Sequence, residues 1–240
     1  MNTIDFKNKG SIRMIAHRGV SGLELENTCP AFVAAGVKTY YGIETDVHVT
    51  ADGRFIIFHD DDLQRLLGRA DIIENSRFDD LRSLRLLDTD RTTDRIDLVM
   101  PTLEEYIHIC KKYDKQAILE LKNLMAKAQV LEIAARIQAM GWLDRTTFIS
   151  FSGNNLVFLR EKHPQAEAQF LCCDVGEAEY AFMLRHRLDA DIYFKSVHKE
   201  LVDKLHVAGL KVNCWTVDTL EDAALMKEAG VDFITSNILE

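Results

Sequence analysis

Short apolar runs alternate along this chain with amphipathic stretches of helix length, and this alternation constrains the fold more than any other feature. Eight runs rich in aliphatic and β-branched residues lie at 12–16, 42–47, 117–121, 147–151, 168–172, 191–194, 211–216 and 232–235. Seven stretches between them are predicted helices, at 27–38, 102–113, 126–140, 155–162, 177–187, 199–208 and 220–229. Parallel strands joined by crossover helices give such a pattern. In 240 residues, it favours an α/β fold of the (β/α)8 barrel type over an open doubly wound sheet.

The segment 42–60, GIETDVHVTADGRFIIFHD, reads as a β-hairpin with its turn at 51–53. Glu44, Asp46 and His48 alternate with apolar residues, so one face of the first strand is polar. Taken alone, the alternation fits a hairpin with one polar face exposed to solvent. In a closed barrel the same face points inward. His48 lies further along the hairpin and is predicted to be exposed.

Residues 61–100 interrupt the alternation and are rich in Asp and Arg. They follow the hairpin, so they are predicted to be an insertion into the second strand-to-helix connection of a single barrel domain spanning 1–240. Asn27 and Thr102 are placed as helix N-caps, and Glu105 has the spacing of a capping box with Thr102.

Composition limits the partners and the compartment. The 38 acidic and 29 basic residues give a net charge of −9, which disfavours nucleic acid and anionic membrane surfaces. No stretch approaches the roughly 18 apolar residues of a membrane helix, so we expect a cytoplasmic protein that acts on a small molecule. The five cysteines are odd in number and lack CxxC spacing, which favours free thiols over a disulfide framework or a zinc site. The oligomeric state is left open, with a homo-oligomer as one alternative.

Polar residues with catalytic chemistry fall where the predicted strands end, and the active sites of such barrels lie at the carboxyl ends of the strands. His17 and Arg18 follow the first strand, Glu44 and Asp46 end the second, Glu120 and Lys122 end the third, and Trp215 ends the seventh. Phe151 and Ser152 at the end of the fourth are weaker candidates for substrate contact.

Three of these residues, Glu44, Asp46 and Glu120, are carboxylates that would converge in the barrel mouth. They would repel one another and take up protons unless a positive charge lay between them. An all-oxygen ligand set selects a hard cation, Mg²⁺ or Ca²⁺, over zinc. The sequence therefore predicts one divalent cation.

The remaining residues fit a phosphate ester. His17 and His59 are the natural acid and base, because imidazole changes charge near neutral pH. Arg18 and Lys122 add cations suited to phosphate oxygens. The predicted site therefore combines a metal, two histidines and two cations.

At these residues the chain resembles the glycerophosphodiester phosphodiesterases. The likeness runs in order through AHRG (16–19), ENTCPAF (26–32), GIETDVHVTADGRFIIFHDDDLQR (42–65), MPTLEE (100–105), LELK (119–122), ISFS (149–152), CWTVDT (214–219) and AGVDFITS (229–236). A lone HRG would mean little, but these motifs in combination are specific.

The resemblance implies a phospholipase C-like (β/α)8 barrel with a small insertion after the second strand. It implies a divalent-metal-dependent hydrolase that cleaves glycerophosphodiesters, such as glycerophosphocholine or glycerophosphoethanolamine, to sn-glycerol 3-phosphate and an alcohol. By position, the resemblance implies that Glu44, Asp46 and Glu120 are the metal ligands. It implies that His17 and His59 are the general acid and base. Arg18 and Lys122 match positions that contact the phosphate, and Trp215 matches the aromatic wall of the glycerol pocket.

The chain departs from the family pattern in three places. Leu25 stands where a proline usually precedes ENT, Leu66-Leu67 replaces threonines, and ITSN (234–237) stands where an aspartate and a proline tend to follow the threonine. Two alternatives stay open: a lysophospholipase D-like phosphodiesterase of the same superfamily, and a catalytically silent barrel that binds sugar phosphates.

Overall fold

Strands and helices alternate through residues 2–240, the part of the chain that the computed structural model describes. The strands are β1 (Arg13–Ala16), β2 (Gly42–Val49), β3 (Phe55–Ile57), β4 (Gln116–Leu121), β5 (Thr146–Ser150), β6 (Glu167–Cys172), β7 (Asp189–Tyr193), β8 (Val212–Trp215) and β9 (Phe233–Ser236). The helices are α1 (Cys29–Gly36), α2 (Gln64–Leu67), α3 (Phe78–Arg82), α4 (Leu103–Lys112), α5 (Lys127–Ala139), α6 (Gly153–Lys162), α7 (Glu177–His186), α8 (Lys199–Val207) and α9 (Leu220–Ala229). Short 3₁₀ turns lie at Ile73–Asn75, Leu143–Arg145 and Phe194–Ser196.

Eight parallel strands close into a barrel. They follow the order β1, β9, β8, β7, β6, β5, β4, β2, and the pairing of β1 with β2 completes the ring. β3 pairs antiparallel with the outer end of β2 and forms the predicted hairpin. The predicted (β/α)8 fold is confirmed, and each of the eight barrel strands lies within two residues of its expected bounds.

The strands read as continuous apolar runs because both of their faces are buried. Inside the barrel, below the mouth, a small cluster contains Ile15, Ile118, Ile149, Leu171 and Phe233. A much larger cluster fills the space between the strands and the surrounding helices. β2 is buried along its whole length, so its polar side chains lie in a closed environment.

The predicted insertion has a hydrophobic cluster of its own between β3 and α4. Leu63, Ile73, Phe78 and Leu98 belong to it. Leu66 and Leu67, which stand where the resemblance places threonines, are partly buried and pack against the same cluster. The departure therefore adds apolar contacts inside the insertion. The assignment of 1–240 to one domain stays a prediction.

One of the two predicted helix N-caps is confirmed, and the other is wrong. At α4 the capping box is present, since Thr102 Oγ1 accepts from the Glu105 amide at 3.1 Å and Glu105 Oε2 accepts from the Thr102 amide at 2.8 Å. At α1 the prediction is wrong, because the N-cap is Thr28. Asn27 has a left-handed backbone with φ of 52°, and its amide points into the barrel instead.

In residues 2–240 none of the helices has the length and apolar character required to span a bilayer. All five cysteines are free thiols. Cys172 is buried while Cys173 is exposed, as expected for neighbours that point to opposite sides of a strand.

Candidate active site

The barrel register brings the acidic residues of two strands together. β2 and β4 pair with Asp46 opposite Glu120, and Glu44 precedes Asp46 by two residues on the same face. One ligand atom from each of the three carboxylates lies within 4.8 Å of the other two. The three side chains sit at the barrel mouth and are buried, with exposures of 4%, 1% and 8% for Glu44, Asp46 and Glu120.

The turn after β1 carries His17 and Arg18 to the same place. Arg18 has a left-handed backbone with φ of 53°, and its amide donates to Glu44 Oε2 at 2.8 Å. Gly19 follows with φ of 78°, where a Cβ would lie 2.6 Å from the Ala31 carbonyl carbon. This close approach requires glycine and lets the turn pack directly on α1.

The three carboxyl groups do not share charge equally. Burial, together with the neighbouring Asp46, raises the pKa of Glu120 to about 8 and the pKa of Glu44 well above its usual range. Burial also acts to raise the pKa of Asp46, but Lys122 and Arg18 outweigh it and hold that pKa well below its usual range. Without a cation, the site therefore favours negative charge on Asp46 over negative charge on the two glutamates.

This donor set fits a hard divalent cation. All three groups offer oxygen, which Mg²⁺ and Ca²⁺ prefer. Among residues 2–240, no N–H or hydroxyl group donates to the buried Asp46 Oδ1, although buried polar atoms in proteins are nearly always paired. Lys122 Nζ approaches this oxygen only to 3.6 Å. A cation among the three carboxylates would satisfy this oxygen and allow both glutamates to ionise.

Asn27, expected to cap a helix, holds Asp46 in place. Its Nδ2 donates to Asp46 Oδ2 at 2.8 Å, and its Oδ1 accepts from the Thr45 hydroxyl at 2.7 Å. The amide therefore fixes one carboxylate oxygen and leaves the other free. The sequence pattern alone does not indicate this role, although Asn27 lies in the ENT motif.

His17 is oriented by a residue from the far end of the chain. Its Nδ1 lies 2.7 Å from Asn237 Oδ1, and Asn237 Nδ2 donates to Asp218 Oδ2. Because a carboxylate can only accept, this bond fixes the amide, and its oxygen must face His17. The Nδ1 of His17 is then the protonated nitrogen, and Nε2 is free 4.0 Å from Glu44 Oε2. Burial and the nearby Arg18 lower the pKa of His17 to about 4.

His59 is held from the side of the insertion. Its Nδ1 lies 2.7 Å from Asp60 Oδ1, and Arg65 Nε donates to Asp60 Oδ2 at 2.7 Å. Arg65 also donates to both oxygens of Glu26, which in turn accepts from Arg18 Nη1 at 2.8 Å. A single guanidinium thus links the supports of His59 and Arg18. No sequence pattern predicts these roles of Arg65, Glu26 and Asp60.

His48, predicted to be exposed, is fully buried, so that prediction is wrong. β2 continues to Val49, and the insertion packs over its end. The His48 Nδ1 lies 3.3 Å from Glu74 Oε1 and Nε2 lies 3.4 Å from the His59 carbonyl oxygen. His48 therefore contacts the segment that carries His59.

The other predicted contact residues also face the mouth. Lys122 Nζ lies 3.0 Å from Glu120 Oε1. Trp215 donates through Nε1 to the Asp191 carbonyl at 3.3 Å, and Phe151 packs against it edge to face at 5.7 Å between ring centroids. Both aromatic rings line a cavity of about 60 Å³ together with His17, Arg18, Glu44, His59 and Glu120.

Comparisons with known proteins agree on one family. A family model described as "Glycerophosphoryl diester phosphodiesterase family" matches residues 17–239. A curated glycerophosphodiester phosphodiesterase from Caldanaerobacter subterraneus is 26% identical over 230 residues, covering 93% of each chain. The structure of a glycerophosphodiester phosphodiesterase from Parabacteroides distasonis superposes with a TM-score of 0.78 at 27% identity, over 99% of this chain and 94% of that one. A phosphodiesterase from Oleispira antarctica, solved with the product sn-glycerol-3-phosphate, gives a TM-score of 0.82 at 24% identity, over 94% and 93% of the two chains.

Proposed function

Because the chain belongs to the glycerophosphoryl diester phosphodiesterase family, we propose that it hydrolyses glycerophosphodiesters, such as glycerophosphocholine or glycerophosphoethanolamine, to sn-glycerol 3-phosphate and an alcohol. One observation carries the proposal: the buried cluster of Glu44, Asp46 and Glu120, with Lys122 beside it, adjoins a cavity that is also lined by His17, His59 and Arg18. The names of the relatives support the reaction class. The product bound to the Oleispira antarctica enzyme supports the choice of glycerol 3-phosphate.

In this proposal Glu44, Asp46 and Glu120 hold one Mg²⁺ or Ca²⁺. When bound, such a cation supplies Lewis acidity toward a phosphoryl oxygen. Arg18 and Lys122 bind the remaining phosphate oxygens, and the pairing of both with acidic residues keeps their side chains extended toward the site.

The two histidines divide the proton transfers. His17, neutral and with Nε2 unprotonated, takes the proton of the attacking group, which is either water or the 2-hydroxyl of the glycerol moiety. In the second case a cyclic phosphate forms first, and water then opens it to sn-glycerol 3-phosphate. His59 gives a proton to the oxygen of the departing alcohol, and Asp60 at 2.7 Å stabilises the protonated imidazole.

A cytoplasmic location is part of the proposal, supported by five free cysteines.

A release assay tests the proposed reaction. The purified protein is incubated with glycerophosphocholine and with glycerophosphoethanolamine, in Mg²⁺, in Ca²⁺ and in EDTA, and sn-glycerol 3-phosphate is measured. We expect activity with at least one cation and none in EDTA. His17→Ala and His59→Ala should each reduce kcat by roughly 10² to 10⁴, whereas His108→Ala, at an exposed position on α4, should not. Activity that survives chelation would remove the metal from the proposal.

A further inference from the structure

A buried acid in the cavity has no part in the chemistry described so far. Asp191, on β7, is 1% exposed and lines the same cavity as His17 and Glu44. In the part of the chain that the structure describes, its carboxyl group accepts one hydrogen bond, from Asn213 Nδ2 to Oδ1 at 2.8 Å. This leaves Oδ2 for a group inside the cavity.

Neighbouring side chains fix the orientation of this carboxyl group. Asn213 donates its second N–H to Thr235 Oγ1 at 2.9 Å, so both amide hydrogens are used and the amide cannot rotate without losing bonds. Trp215 donates to the Asp191 backbone carbonyl and packs beside it. Asp191 is therefore held rigidly, as a residue that recognises one ligand group needs to be.

Asp191 also lies on the opposite side of the barrel from the carboxylate cluster. Counted around the ring, β7 is four strands from β2 in either direction. A ligand whose phosphate lies against Arg18 and Lys122 must cross the cavity to reach it. The walls between are apolar, with Ile149, Leu171 and Trp215, so they suit a short carbon chain.

The electrostatics favour a hydroxyl group over a cation at this position. Burial raises the pKa of Asp191 to about 8, and among the described residues no cation contributes to that pKa. At neutral pH the group is uncharged, so it does not repel a phosphate in the same cavity. A carboxylic acid can both donate to and accept from an alcohol oxygen.

We propose that Asp191 binds a hydroxyl group of the glycerol moiety and thereby selects polyol phosphates over phosphates of simple alcohols. The inference rests on the proposed function, because it places the phosphate of the same substrate against Arg18 and Lys122. It identifies Asp191 as a specificity-determining residue and Asn213 as its positioning residue.

Direct binding measurements test this inference. The affinities of sn-glycerol 3-phosphate and n-propyl phosphate, which differ only in the two hydroxyl groups, are measured by calorimetry in Mg²⁺. Wild-type protein should prefer the glycerol ester. Asp191→Ala should reduce the preference about tenfold without weakening the binding of n-propyl phosphate. As a control, Asp189→Asn lies at the other end of β7, where Asp189 accepts from the Lys211 amide, and should leave the preference unchanged.

A second variant guards against misfolding. In Asp191→Leu with Asn213→Leu and Thr235→Val all three partners of the buried hydrogen bonds are removed together, which is far less costly than leaving one unpaired. Loss of the preference in every variant that folds supports the inference, and retention in any folded variant overturns it. Binding does not depend on turnover, so wild-type protein that shows the preference but hydrolyses no glycerophosphodiester contradicts the proposed function and not the hydroxyl site.

Discussion

At the scale of single residues, the two histidines are defined by their partners. His17 has an amide oxygen at Nδ1 and His59 a carboxylate. An amide fixes the tautomer without adding charge, whereas a carboxylate favours the protonated ring. Burial lowers the pKa of both rings, to about 4 at His17, and the Asp60 carboxylate opposes this lowering at His59, which supports His17 as the base and His59 as the acid.

The role of Asn237 can be tested by mutation. Asn237→Ala removes the acceptor that keeps the Nδ1 proton of His17 in place, so we expect kcat to fall roughly ten- to a hundredfold while KM changes little. The rate of sn-glycerol 3-phosphate release as a function of substrate concentration separates the two parameters.

Ser21→Ala is the matched control, because Ser21 Oγ donates to the same Asn237 oxygen at 2.6 Å but does not contact the imidazole. It should keep nearly full activity. Wild-type kcat in Asn237→Ala, or an equal loss in both variants, would show that Asn237 does not orient His17.

The residues that face the mouth were predicted better than the residues that support them. Glu44, Asp46 and Glu120 could be placed together because strand periodicity and barrel geometry fix where side chains at strand ends point. Asn237 and Arg65 could not, since their partners lie on other loops and the relevant distances exist only after folding. Two predictions from local sequence were wrong. Asn27 is a residue type that often caps helices, and His48 lies where a hairpin residue is usually exposed.

At the scale of elements, the β2–β3 hairpin and the insertion act together on one side of the mouth. The hairpin supplies Glu44 and Asp46 from one strand and leads the chain back to His59. The insertion then covers the end of β2, where Glu74 accepts from Asn123 Nδ2 at 3.0 Å and lies 3.3 Å from His48. Asn123 directly follows Lys122. The insertion therefore contacts the segments that carry both His59 and Lys122.

Glu74→Ala tests this coupling. Without the carboxylate, His48 and Asn123 both lose a partner, and the two segments gain freedom. We expect kcat/KM to fall about fivefold, the equivalent of about 1 kcal/mol of lost positioning, and Tm to fall modestly because the buried His48 loses a partner. Asp79→Ala removes the same charge from the insertion at a 78% exposed side chain and should have no effect. Equal activities for the two variants would contradict the coupling.

The strand and helix pattern could be read from sequence because each element carries its own periodicity and caps. The structure of the insertion could not, since its short helices α2 and α3 depend on a local cluster assembled from 25 to 100. Such short helices have little stability of their own. Tertiary packing determines where these helices form, and local sequence patterns predict them only weakly.

At the scale of the whole molecule, the carboxylate cluster links stability to pH and to metal. In the metal-free protein the pKa of Glu120 is about 8 and that of Glu44 is also raised. Between the usual glutamate pKa and about 8, the folded protein binds more protons than the unfolded chain, so its stability falls as pH rises. A bound cation replaces these protons and removes the loss.

Thermal unfolding tests this linkage. The rise in Tm on adding Mg²⁺ or Ca²⁺ should be larger at about pH 8 than at about pH 6, since fewer protons must be displaced at the higher pH. Glu120→Gln, which lacks one ligand and its ionisation, should show a smaller rise that depends less on pH. Identical rises at both pH values in the wild-type protein would contradict the linkage.

The hydrogen bond between His17 and Asn237 joins residues 220 positions apart, across the junction where β1 pairs with β9. The entropy lost in bringing such distant segments together delays contacts of this kind during folding. A chain with most of its βα units formed but this junction open would have its carboxylate cluster assembled on β2 and β4 and yet lack an oriented base. Catalytic activity therefore requires a closed barrel, in which β1 pairs with β9. Metal binding requires only that β2 pairs with β4.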